Sequence, residues 1–205
     1  MRKALSIGFI CLISFIIGTK DSYAFQVNVF RFASVSGTQQ NEELGTVLRK
    51  ANVSGDNLPE VFIGAPGASQ SGLSESGRIY LLSLPVQTDT NLTASNIIIS
   101  GSESGERLGE RFELGDFNGD GKIDIVVSEQ TYNTNNGRLL IFYGPFIPGT
   151  PKNSDEADVV ILGSNEENFG SSISVVKKSG VSKNGLFIGA TGYGDFLGRA
   201  YYFEQ

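Results

Sequence analysis

The sequence predicts an all-β chain of three four-stranded antiparallel blades set side by side as a β-propeller, either part of a ring or a ring finished by assembly. Three observations carry this. A four-part unit recurs three times at a spacing of about 60 residues, the mark of a repeat architecture. Each part is a short run rich in Val, Ile, Phe, Tyr and Leu, bounded by Gly, Asn, Asp or Ser clusters. None of these runs holds a helical period over the length that a helix requires. A β-sandwich also has many short strands, but it does not account for one unit recurring three times.

Residues 1–24 read as a signal peptide. Arg2 and Lys3 precede an apolar run over residues 4–18, and Ser22-Tyr23-Ala24 supplies a small-x-small cleavage site. The run is shorter than the ~20 residues that span a bilayer, so no transmembrane segment is expected in the mature chain. Cys11, the one cysteine, lies inside this run behind Ile10, where lipoprotein processing would need a small residue. An exported chain with no remaining cysteine draws its stability from packing, metal or assembly rather than disulfides.

Residues 25–205 form the propeller region, with repeats over about 25–84, 95–144 and 157–205. The first run, 25–34, is of the type that ends a blade, and the chain closes on the third type. Each repeat carries Leu44-Gly45, Leu108-Gly109 or Phe169-Gly170 early. A central run follows: Val61-Phe62-Ile63-Gly64-Ala65-Pro66, Ile125-Val126-Val127-Ser128-Glu129 or Leu186-Phe187-Ile188-Gly189-Ala190-Thr191. The third part begins with a Gly-Arg pair, Gly77-Arg78, Gly137-Arg138 or Gly198-Arg199. A fourth marker precedes the last two copies as Ile98-Ile99-Ser100-Gly101-Ser102 and Val160-Ile161-Leu162-Gly163-Ser164.

Ahead of the central run of the second repeat stands Asp-Phe-Asn-Gly-Asp-Gly-Lys-Ile-Asp, residues 116–124. Asp116, Asn118, Asp120 and Asp124 place side-chain oxygens at alternate positions of a tight curl, and the main-chain carbonyl of Lys122 completes the set. Hard cations need such a crowd of oxygens, and Gly119 and Gly121 permit the positive φ the curl demands. An ordinary Asn-Gly or Asp-Gly turn needs only two of these residues. The pattern points to calcium (Ca2+) rather than magnesium, which asks for a stricter octahedron. A helical EF-hand is ruled out, because Val127 stands where its twelfth-position Glu belongs and a β-type run follows. The corresponding residues of the first repeat, Asn52, Ser54, Asp56, Leu58 and Glu60, make a weaker candidate. Those of the third, Lys177, Ser179, Val181, Lys183 and Gly185, cannot hold a cation.

The unit Phe169-Gly170 … Gly189-Ala190-Thr191, with its sister Gly64-Ala65-Pro66, resembles the FG-GAP repeat of integrin α-subunit propellers. Residues 116–124 resemble the calcium loop of that family. The resemblance covers about residues 30–205 and implies blades in which a calcium-binding hairpin links the first strand to the second. Propellers of this kind close with seven blades, and three are legible here. Open strand edges and apolar faces then imply a homo-oligomer that completes the ring, or a piece of a larger one.

Composition narrows function by exclusion. A net charge of −6 argues against a nucleic-acid partner, which needs a concentrated basic face. The chain contains no histidine, which removes Ser-His-Asp and Cys-His catalysis and His-ligated zinc. No catalytic residue is therefore assigned, and the chain is read as non-enzymatic. Residues 115–122 fail the phosphate-loop spacing, and the Gly-rich residues 192–198 precede a strand rather than the helix a dinucleotide site needs. Asn52-Val53-Ser54 and Asn91-Leu92-Thr93 match glycosylation sequons. Tyr80, Tyr143, Tyr201 and Tyr202 fall at strand positions and read as packing residues. The expectation is an exported calcium-binding module, periplasmic, secreted or at the cell surface, that recognises a protein or glycan ligand through blade loops, as the integrin resemblance implies. The alternatives are an accessory or remnant domain of a secreted hydrolase or phospholipase, and a degraded gene product.

Overall fold

The alternation of faces along each central run decides the fold. Phe62 and Ile63 point to opposite sides of one strand, and both are buried. The same holds for Ile125, Val126 and Val127, all at 0% exposure, so the sheet that carries them is covered on both faces. Near-continuous apolar runs belong to strands with two buried faces. The computed structural model describes residues 33–204 apart from Asn57, Gln87 and Lys178. The signal peptide expected over residues 1–24, and all but the end of the strand expected over 25–34, lie outside the described residues.

The described strands in chain order are β1 (Val35–Ser36), β2 (Leu48–Ala51), β3 (Glu60–Ala65), β4 (Arg78–Leu82) and β5 (Thr90–Asn91). Then come β6 (Ile97–Ser100), β7 (Phe112–Gly115), β8 (Asp124–Glu129), β9 (Arg138–Phe142) and β10 (Lys152–Asn153). The last are β11 (Val159–Leu162), β12 (Phe169–Val176), β13 (Gly185–Ala190) and β14 (Arg199–Phe203). The chain is all-β, with multiple antiparallel sheets as a propeller of this type requires. The turns Tyr132–Asn135 and Tyr193–Phe196 contain left-handed residues (Asn133, Thr134, Gly194, Asp195) and are not helices. Among the described residues no helix is long and apolar enough to cross a membrane.

Of the three four-stranded blades expected, the described residues give sheets of five, four and three strands. Among them the second has four, in the order β11-β9-β8-β7. The first adds a fifth, β10-β6-β4-β3-β2, because the short β10 runs parallel along the outer edge of β6. The third has three among the described residues, β12-β13-β14. A separate parallel pair joins β1 to β5. That pair repeats the β6–β10 register: Val35 stands to Thr90 as Ile99 stands to Lys152. β1 is thus the counterpart of β6, and it begins just past the run 25–34 that the sequence reads as blade-ending.

The sheets stack through their faces. Phe62, Ile79 and Leu81 of the first sheet meet Phe112, Ile125, Val127, Leu140 and Phe142 of the second. The opposite face of the second, Val126, Leu139 and Ile141, packs on Phe169, Leu186, Ile188 and Ala190 of the third. Each such side chain taken wholly from water stabilises the fold by roughly 1.5–3 kcal/mol. The Gly-Arg glycines hold the stacking distance. Gly77 and Gly137 have φ of +82° and +81°, and a Cβ there would strike the backbone of Leu108 and Phe169 respectively. These are the first residues of the Leu-Gly and Phe-Gly markers, so two repeat markers meet where one sheet crosses the next. On the third sheet Phe187 and Tyr202, 48% and 43% exposed, pair their rings at 5.1 Å.

Candidate metal centre

The oxygen-rich loop connects β7 to β8, the first and second strands of the second sheet, where the resemblance implied it. Strand pairing brings Gly115 opposite Asp124 and closes the loop between them. Gly119 and Gly121 take φ of +84° and +80°. The tight curl follows from these two residues and from the side chains that fasten it.

Each predicted side-chain donor accepts a backbone amide. The Gly119 N–H donates to Asp116 Oδ1 at 2.6 Å and the Gly121 N–H to Asp116 Oδ2 at 2.9 Å. The Asp120 N–H donates to Asn118 Oδ1 at 2.9 Å, and the Lys122 N–H to Asp120 Oδ1 at 2.9 Å. Asp124 is wholly buried and accepts three amides: Phe117 at 2.8 Å, Asn118 at 3.3 Å and Gly144 at 3.0 Å. Burial pushes the Asp124 carboxyl above its usual range against the pull of those amides. The exposed Asp120 is held below its usual range, chiefly by the Lys122 amide.

These bonds divide the donors into two kinds. Asp116, Asn118 and Asp120 lie along the rim of the curl, whereas Asp124 clamps its base and also reaches the loop after β9 through Gly144. Among the described residues no three acidic or thiol side chains converge tightly enough to form a metal cluster. The donor set still fits a hard cation in kind. It is all oxygen, and each carboxylate oxygen that accepts one amide keeps a second lone pair.

The sister loops confirm which part of the motif is architecture. In the first sheet the Val53 N–H donates to buried Glu60 at 2.8 Å, so Glu60 takes the clamping place of Asp124. The Gly55 N–H donates to Asn52 Oδ1 and the Leu58 N–H to Asp56 Oδ1, both turn bonds of the same kind. The third sheet contributes differently. The Asp116 N–H donates to Asn184 Oδ1 at 2.8 Å, and the Lys183 stem and Ser182 hydroxyl lie against Gly119. Sequence comparison of repeats set this loop aside for want of donors, yet it buttresses the neighbouring one.

A second polar centre, which reading by motif passed over, joins the loop before each first strand to the Gly-Arg strand of the same sheet. Glu42 accepts the Thr38 N–H, Glu106 the Ser102 N–H, and Glu167 the Ser164 N–H. The Tyr80 hydroxyl donates to Glu42, and the Tyr201 hydroxyl donates to Glu167. In the second sheet Leu140 replaces the tyrosine, and Glu129 stands where the others have Ala65 and Ala190, each opposite its Gly-Arg arginine. The signal was present in the sequence as Ser128-Glu129 against Gly64-Ala65 and Gly189-Ala190. Burial first, then the neighbouring Glu106 charge, pushes the Glu129 carboxyl up to about 8.

Residues 108–142, which span the acidic loop and three strands of the second sheet, match the family model of the FG-GAP repeat. The chain is 32% identical over 111 residues to phosphatidylinositol-glycan-specific phospholipase D of Mus musculus, covering 49% of this chain and 13% of that protein. It is 32% identical over 124 residues to integrin alpha-PS2 of Drosophila melanogaster, covering 57% of this chain and 9% of that one. Over 128 residues it is 30% identical to integrin alpha-IIb of Mus musculus, covering 60% and 12% respectively. The chain thus spans a small part of the length of these relatives.

Proposed function

We propose, from the premise that this chain is an FG-GAP repeat protein, that it is an exported β-propeller module that binds calcium and recognises a protein or glycan ligand without catalysing a reaction. One observation carries the reading: the oxygen-rich loop 116–124 lies inside the matched repeat and joins its first two strands. Asp116, Asn118, Asp120 and the Lys122 carbonyl would hold the ion, with Asp124 fixing the curl and offering its one remaining lone pair on Oδ1. Calcium there stabilises the fold by binding the folded state in preference to the unfolded one. Loops at the ends of stacked sheets then present a firm surface for recognition. The three sheets act as blades, and a second copy of the chain or a longer polypeptide would supply the further blades that a closed ring needs.

Thermal unfolding in calcium and in chelator tests the metal reading. The expected result is a higher melting temperature in calcium that Asp116→Ala abolishes. An identical melting curve in both buffers refutes it. The likeness to the mouse phospholipase D favours a second reading, an accessory domain of a secreted phospholipase. Co-purification with a separate phospholipase chain, and activity of that complex on a glycosylphosphatidylinositol substrate, would select it.

A further inference from the structure

The structure assigns a ligand site to a hollow of the second sheet: we propose that the cavity over Glu106, Glu129 and Arg138 binds a neutral polyhydroxylated ligand, a sugar unit of a glycan. The inference deepens the recognition reading above and rests on it. It does not depend on the metal loop.

The cavity measures about 370 Å3, and its lining includes Glu103, Glu106, Glu129, Thr131, Tyr132 and Arg138. Three features mark it, of which the ring-on-arginine contact recurs in the third sheet as Tyr193 on Arg199. The first is a departure from the repeat. Small alanines, Ala65 and Ala190, hold the position opposite arginine in the first and third sheets, and a carboxyl replaces them only at Glu129. A buried carboxyl costs stability that an alanine does not, and such departures cluster at functional sites. The second is a buried acid pair. The Glu129 side chain is 3% exposed, and its carboxyl hydrogen-bonds that of Glu106, itself 2% exposed. The third is the cavity itself, with the half-buried Tyr132 ring stacked at 4.0 Å on the Arg138 guanidinium at its wall.

Charge selects the class of ligand. Arg138 Nε donates to Glu129 at 2.5 Å and Nη2 to Glu106 at 3.3 Å, which leaves further guanidinium N–H groups unused. A cation entering the hollow meets Arg138, and an anion meets Glu106 and the nearby Glu103. A neutral diol meets neither penalty. One hydroxyl donates to Glu106, which Glu129 holds in place, while its neighbour accepts from Arg138, and Thr131 adds a hydroxyl. Paired acceptors and donors beside a partly exposed aromatic ring match the alternating polar edge and apolar face of a pyranose.

Saturation-transfer NMR on the full chain tests this with methyl glycosides of mannose, galactose and N-acetylglucosamine, and with spermidine and citrate as cationic and anionic probes. At least one glycoside is expected to receive saturation, and neither charged probe. Glu129→Ala, which installs the residue of the sister sheets, is expected to remove the signal. Glu129→Gln, whose amide can still donate to Glu106, is expected to keep most of it. Tyr132→Ala, outside the apolar core, is expected to weaken binding at least fivefold while the fold persists. No glycoside signal, an undiminished signal in both alanine variants, or binding of a charged probe instead overturns the proposal. The melting shift with calcium is read on the same samples. Its presence without sugar binding sinks this inference alone, and its absence sinks the metal reading.

Discussion

Asn184 and Asp116 are joined by two hydrogen bonds: the Asp116 N–H donates to Asn184 Oδ1 at 2.8 Å, and the Asn184 N–H donates to the Asp116 carbonyl at 2.7 Å. The pair ties the hairpin of the third sheet to the first residue of the oxygen-rich loop in the second. A residue from a loop with no ligand set of its own thereby fixes the start of the curl.

Removing that tie should loosen the loop. Asn184→Ala leaves one bond of the pair and orphans the Asp116 amide, at a cost of roughly 0.5–1.5 kcal/mol. The expected outcome is calcium affinity reduced about fivefold, measured by calorimetric titration. Unchanged affinity would show that the third sheet has no part in shaping the loop.

The division of donors into rim and clamp is separable by mutation. Asp120 is exposed, so Asp120→Ala should abolish most of the calcium-induced rise in melting temperature and cost little metal-free stability, chiefly its bond to the Lys122 amide. Asp124→Ala strands amides that a buried carboxylate now satisfies and should cost about 1–3 kcal/mol without any metal present. Urea unfolding in chelator checks both, and equal metal-free losses would erase the distinction.

Gly137 offers a test of the stacking contact. Gly137→Ala forces a side chain into left-handed backbone and against Phe169, with an expected loss of about 2–4 kcal/mol. Gly121, at similar φ but with open space around it, should pay only the backbone part. Denaturant midpoints of the two alanine variants give the comparison.

The raised Glu129 carboxyl makes a signed prediction for pH. It faces Glu106 and Arg138, with Tyr132 beyond, and binds its proton up to about pH 8 in the folded chain. The unfolded chain releases that proton near the ordinary glutamate value. Between the two the folded state holds more protons, so this group's contribution is fully present below the unfolded value and is lost as pH rises through about 8. Relative to Glu129→Ala, the unmodified chain should lose stability across this window with a slope approaching 1.4 kcal/mol per pH unit, about the full single-proton linkage. Parallel stability curves for the two proteins from pH 5 to 9 would contradict it.

Much of this was legible in the chain alone, for a physical reason. The strand runs, the sixty-residue spacing and the turn glycines are local demands of backbone geometry, and local demands are written where they act. The alternate oxygens of residues 116–124 and their position between two strands belong to the same category. Only the tertiary structure decided which repeats lend groups to one another, because those contacts join residues far apart in sequence. Asn184 buttresses Asp116 from another sheet, and β10 lengthens the first sheet from beyond the second. Glu129 gains its high proton affinity from burial and then from Glu106. A carboxyl in the string of letters is ordinary; packing against a second carboxyl, out of water, is what changes its chemistry.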